Sequence, residues 1–173
     1  MMARTRHFPV PLAAALLVLA AALPVAAQGS ASSVGLGVAV GLAFPQGDTA
    51  AIPSTDWRTS FNWGFYVNIP VISTLHLTPS AELYRFNEVN ATDFSLAFKF
   101  IVPLARFDLY VGLAPGLTAV ADVIAPNVGL LAGGSFQLVG NLELFVQGKY
   151  DWIFEGGENL RVLHVNTGIL FVF

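Results

Sequence analysis

The chain closes on NTGILFVF, residues 166–173. Ile169, Phe171 and Phe173 stand two apart, while Asn166 and Gly168 fall on the alternate positions. A period of two belongs to a β-strand, whose successive side chains point to opposite faces. Chain ends are commonly polar and frayed, so a soluble protein gains little from this pattern. A strand with one face in lipid gains a good deal.

The same period recurs upstream. Eight segments carry it: 33–44, 61–69, 75–86, 92–102, 107–119, 127–139, 142–154 and 161–173. Most exceed the mean globular strand of about 5–6 residues and reach the roughly 9–11 needed by a strand tilted across a bilayer. None shows the three-four spacing of an amphipathic helix. The connections after the second, fourth and sixth segments are the short PVIST, PLAR and GN, and the first is the long PQGDTAAIPSTDWRTS. Short turns at one end and longer loops at the other are the asymmetry of an outer-membrane barrel, with the short turns periplasmic.

Composition agrees. The 173 residues are 55% hydrophobic and only 11% charged, with no cysteine. Ordinary soluble domains carry about 25% charged residues. Without cysteine there are neither disulfides nor thiolate metal sites. Residues 1–27 read as a secretory signal peptide: Arg4 and Arg6, an apolar run from Leu12 to Leu23, then Pro24-Val25-Ala26-Ala27. That run is too short for a membrane helix, which needs about 20 residues. Losing both arginines with this segment takes the net charge from −3 to −5, which argues against a nucleic-acid partner. The remainder, 28–173, is expected to be one domain.

Division by parity sorts the charges. One face carries Val34, Leu36, Val38, Val40 and Leu42, then Phe61, Trp63, Phe65 and Val67, and further on Phe94, Leu96, Phe98 and Phe100. Its only charges are Arg85 and Arg161, both near strand ends. The other face holds His76, Glu82, Asp93, Lys99, Asp108, Glu143, Lys149, Asp151 and His164. A basic side chain facing lipid costs about 2–4 kcal/mol at the midplane and little near the interface, and the sorting follows that cost. A lipocalin-like soluble barrel would instead put the second face in water. That face also contains Gly35, Gly37, Gly41, Ile101, Leu131, Phe145 and Ile153, too few charges for a solvated surface. Trp63, Tyr150, Trp152 and Phe154 near the loops, with Phe107, Phe136, Phe171 and Phe173 near the turns, form two aromatic girdles.

These features resemble bacterial outer-membrane β-barrel proteins, in particular the small eight-stranded OmpA/OmpX-type barrels. The resemblance implies an all-β, eight-stranded, antiparallel up-and-down transmembrane barrel over 28–173. It also implies that the terminal strand, with Val165, Ile169, Phe171 and Phe173, is the signal read by the barrel-assembly machinery. Pro79 and Pro115 depart from the pattern, since a closed sheet has no free edge for them, and bulges are expected there.

The inward charges Glu82, Lys99, Glu143, Lys149 and Asp151, with His164 nearly opposite Asp151, are expected to form a salt-bridge ladder. An eight-stranded lumen is just wide enough to be filled by side chains, and buried charges must pair or meet water. Arg85 and Arg161 are candidates for lipopolysaccharide phosphates, because guanidinium forks hold phosphate well. The expectation is a monomeric, non-enzymatic barrel without cofactor or metal, embedded in outer-membrane lipids. Its role would be envelope structure or surface contact through short acidic loops. The alternatives are a narrow channel or pocket for a small hydrophobic solute, and a lipid-modifying enzyme. The step His76-Leu77-Thr78 loosely resembles the His-x-Ser of outer-membrane lipid A deacylases, with threonine in place of serine and no glutamate to complete a triad. Glycines 35, 37 and 41 have no following helix to make a phosphate loop and instead thin the barrel wall.

Overall fold

Alternation sustained over 12 to 17 residues builds eight strands: β1 Gly35–Gln46, β2 Ser60–Ile72, β3 Leu75–Phe86, β4 Val89–Leu104, β5 Phe107–Val120, β6 Val123–Val139, β7 Leu142–Glu155 and β8 Glu158–Val172. The computed structural model describes residues 33–46, 59–86, 89–104, 107–120, 123–155 and 158–173. The expected signal segment 1–27 and most of the long first connection lie outside them. Each strand pairs antiparallel with the next, and β8 closes on β1. The closing register runs from Gly35 opposite Val172 to Gln46 opposite Arg161. The apolar terminus therefore removes the last free edge of the sheet.

A row of pairs at right angles to the strands starts at Leu36 and Val67, then passes Pro79, Leu96, Pro115, Val128, Trp152 and Arg161. It returns to β1 at Gln46, ten residues beyond its start. That stagger goes with strands tilted by about 35–45° and with an interior that side chains can fill.

Both prolines lie on this row, and neither makes a bulge. Register is the same on either side of Pro79, with Tyr66 opposite Ser80 and Ile69 opposite Leu77. The same holds around Pro115, with Ser95 opposite Gly116 and Phe98 opposite Leu113. Only the pairing step itself is interrupted, because a proline nitrogen has no hydrogen to donate. The neighbours on the other side, Leu96 for Pro79 and Val128 for Pro115, remain paired. The register shifts fall instead between Pro70 and Ile72 and between Gln137 and Val139, both beside turns.

Loop lengths also differ from expectation. Pairing continues to Phe86 with Val89, Val120 with Val123, and Glu155 with Glu158. Those three hairpins are as tight as the turns at the opposite end, and only the β1–β2 connection is long. The ladder extends past the alternating apolar stretch because backbone pairing does not need a hydrophobic face.

The outward row is apolar and exposed over its whole height, from Leu36 and Phe61 (60% exposed) to Val111 (58%), Ile124 and Phe171. A continuous apolar belt of this extent has no place in water. It is the surface a bilayer covers. The inner face holds three apolar clusters. One lies toward the end bearing the long connection: Ala43, Tyr84, Ala91, Ala125, Ile153, Leu160 and Val162. Two lie toward the turns: Ala97, Ile101, Tyr110, Ala114 and Leu131, and Ala39, Tyr66, Phe145 and Leu170.

Candidate functional site in the barrel lumen

Between the apolar layers sits a belt of polar side chains, nearly all inaccessible to solvent. Its centre is Lys149, which β7 carries at mid-strand and which is 2% exposed. The ammonium lies 2.8 Å from Glu82 Oε2, 3.1 Å from Asp93 Oδ1 and 3.2 Å from Asp151 Oδ2. An ammonium has three hydrogens to donate, and three carboxylates surround this one.

Two of the three carboxylates are held from behind by hydrogen bonds. Tyr66 donates its hydroxyl to Glu82 Oε1 at 2.5 Å, and Asn166 Nδ2 donates to the same oxygen at 3.3 Å. Thr118 donates to Asp93 Oδ2 at 3.0 Å, and Asn127 Nδ2 donates to that atom as well. Asp151 packs against Gly129, where a Cβ would collide with its Oδ1. His164, wholly buried, accepts a hydrogen bond at Nδ1 from Asn62 Nδ2 at 3.0 Å. The ring proton then resides on Nε2, which faces Asp151 Oδ2 at 3.3 Å. The edge of the ring meets Tyr84 at a centroid distance of 4.8 Å.

The structure brings together four of the six charged residues expected in the ladder: Glu82, Lys149, Asp151 and His164. Lys99 stands apart, with its ammonium 4.7 Å from the centre of the Tyr110 ring. Glu143 is also outside the network, half-buried near the β6–β7 turn. The ladder is shorter than the charge pattern suggests because the stagger sets these two residues at turn-end heights. His164 pairs in register with Lys149 rather than Asp151, one inward step away. Asp93 enters the network although parity alone gave it no partner. Parity had put it on the inward face, and the register that sets it opposite Glu82 supplies the partner. Asn62, Asn127 and Thr118 carry no charge pattern to reveal them.

Glu82, Asp151 and His164 also offer ligand atoms within 4.8 Å of one another, close enough for a metal ion. The Lys149 ammonium already lies against two of those carboxylates. It is the cation of this site, and a metal ion would have to displace it. At the turn end, His76 and Thr78 face the lumen as well. Thr78 is buried and donates to Asn68 Oδ1 at 3.1 Å, while Asn68 Nδ2 lies 3.0 Å from His76 Nδ1. A hydroxyl turned into the barrel is on the wrong side of the wall to attack a lipid in the surrounding bilayer.

Arg85 and Arg161 both project outward near the end with the long connection. Arg85 Nε donates to Asn90 Oδ1 at 3.0 Å. Arg161 lies in register between Trp152 and Gln46. Val165, Ile169, Phe171 and Phe173 are all exposed on the lipid-facing row.

No family model matches the chain, and no curated protein matches it in sequence. Solved structures do. Neisserial surface protein A superposes with a TM-score of 0.70 at 14% identity, over 83% of this chain and 100% of that one. This chain has the fold of the small eight-stranded outer-membrane barrels. The N-terminal barrel domain of Pseudomonas aeruginosa OprF gives 0.53 at 16% identity over 83% and 100% of the two chains. OprG from Pseudomonas aeruginosa gives 0.52 at 9% identity over 82% and 95%.

Proposed function

We propose that the protein is an outer-membrane barrel with an envelope-structural or surface-contact role, and that its lumen does not conduct. The observation that carries this reading is the filled interior. The Lys149 ammonium with its three carboxylates occupies the middle. Ala43, Val162, Leu160 and Ile153, none more than 2% exposed, close the lumen above it. An ion entering from the outside would have to cross an apolar layer and then part the Lys149 ammonium from its three carboxylates. The inward-facing His76 and Thr78 speak against lipid chemistry, and the name of the neisserial protein, a surface protein, accords with a contact role. Export through the 1–27 segment and insertion by the barrel-assembly machinery belong to the same reading.

Single-channel recording of purified barrel in planar bilayers tests it. The expected conductance stays at background. Stable, discrete openings would replace this reading with the channel class.

A further inference from the structure

The outer surface carries a basic group in a frame that the lipid belt does not require. Arg161 is exposed on the lipid-facing row and has no carboxylate partner among the described residues whose side chains are placed. On one side its register neighbour is Trp152, and on the other Gln46. Tyr150, stacked edge-on against Trp152 at 4.8 Å, reaches across β8 and donates its hydroxyl to Gln46 Oε1 at 3.3 Å. Arg161 thus stands in register between a tryptophan and a glutamine, and the glutamine amide is bridged to a phenol that stacks on that tryptophan. All of them lie toward the strand ends on the side of the long β1–β2 connection.

We propose that Arg161, with Trp152, Tyr150 and Gln46, forms a contact site for the phosphorylated sugar headgroup of an outer-leaflet lipid of lipopolysaccharide type. The inference rests on the outer-membrane reading above. A planar guanidinium fork pairs two oxygens of a phosphate, and Trp and Tyr at an interface present an apolar body beside a polar edge. A sugar offers both hydroxyls for the amide and phenol and an apolar ring face for the indole. Charge decides the class of partner. A cation with no carboxylate partner among the described side chains, on the lipid-facing side, is compensated by an anionic headgroup, not by acyl chains. Arg85 carries no such frame and already donates to Asn90, so the two arginines are not equivalent. Bridging of lipid phosphates to carboxylates by divalent cations has to be kept out of the test.

The experiment compares the full barrel refolded into vesicles of phosphatidylethanolamine with added lipopolysaccharide, with added phosphatidylglycerol at equal charge, or with neither, all in chelator. The readouts are the heat-induced loss of the folded band on gels and Trp fluorescence titrated with lipopolysaccharide. Lipopolysaccharide is expected to raise the unfolding temperature above that in phosphatidylglycerol. Arg161→Gln should abolish most of that rise and weaken the titration about tenfold, as expected for a lost charge-assisted hydrogen bond. Arg161→Lys should lose part of it, and Arg85→Gln should leave it in place. An equal rise with phosphatidylglycerol, or an undiminished rise in Arg161→Gln, overturns the site. If the barrel proves to conduct, the lumen assignment falls while these outcomes still stand or fall on their own.

Discussion

Replacing Lys149 by Met is the sharpest test of how the lumen is held. The substitution keeps most of the side chain's volume and removes only the charge. It leaves Glu82, Asp93 and Asp151, none more than 1% exposed, around a gap where the ammonium stood 2.8 to 3.2 Å from each. Breaking a buried pair by removing one partner costs about 3–5 kcal/mol, because the remaining charge is stranded. Three carboxylates lose their cation here, so the upper end of that range is expected. The partners behind them soften the loss only for Glu82 and Asp93, whose other oxygens accept from Tyr66 and Thr118. Urea unfolding in phospholipid vesicles, followed by Trp fluorescence and by the gel shift of unboiled samples, measures the change. Lowering the pH of the Lys149→Met protein should recover part of the lost stability, since protonation removes the charges that the lumen can no longer balance. A loss below about 1 kcal/mol, unaffected by pH, would mean that water takes over the solvation. The lumen would then be wet rather than sealed.

Two further outcomes follow from the wall and the closing strand. A Cβ at Gly41 would collide with the Val165 carbonyl oxygen and with Asn166, whereas one at outward-facing Gly148 would meet nothing nearer than 3.9 Å. Gly41→Ala is therefore expected to destabilise by about 1–3 kcal/mol through overpacking, and Gly148→Ala to be near neutral in the same urea assay. Deleting Phe173, or replacing it by Lys, should lower the yield of heat-modifiable barrel in cells while purified protein still refolds in detergent. Unchanged cellular yield would remove the terminal residue from the assembly signal.

Much of this architecture is written in the sequence because a strand's period is local. Which residues face lipid follows from counting by two. The apolar row through Leu36, Phe65, Leu96 and Val146 and the inward set through Glu82, Lys149 and His164 need no tertiary information. The number of strands and the need to close them follow from the same alternation, since an apolar terminal strand with a free edge has no stable place in a membrane.

Tertiary structure decided heights. Lys149 and Asp93 lie 56 residues apart and are not register neighbours; they meet because a ten-residue stagger around the barrel brings the first part of β4, near the β3–β4 hairpin, within reach of mid-β7 across the lumen. The same stagger leaves Lys99 and Glu143 at the turn end, although their parity matches that of the residues that do meet. Pro79 and Pro115 kept register because each lost a single backbone donor on one side while its other neighbour stayed paired, a balance that only the closed ladder reveals. Alternation tells a side chain which way to point. What it meets there depends on the shear of the whole sheet, which no single strand contains.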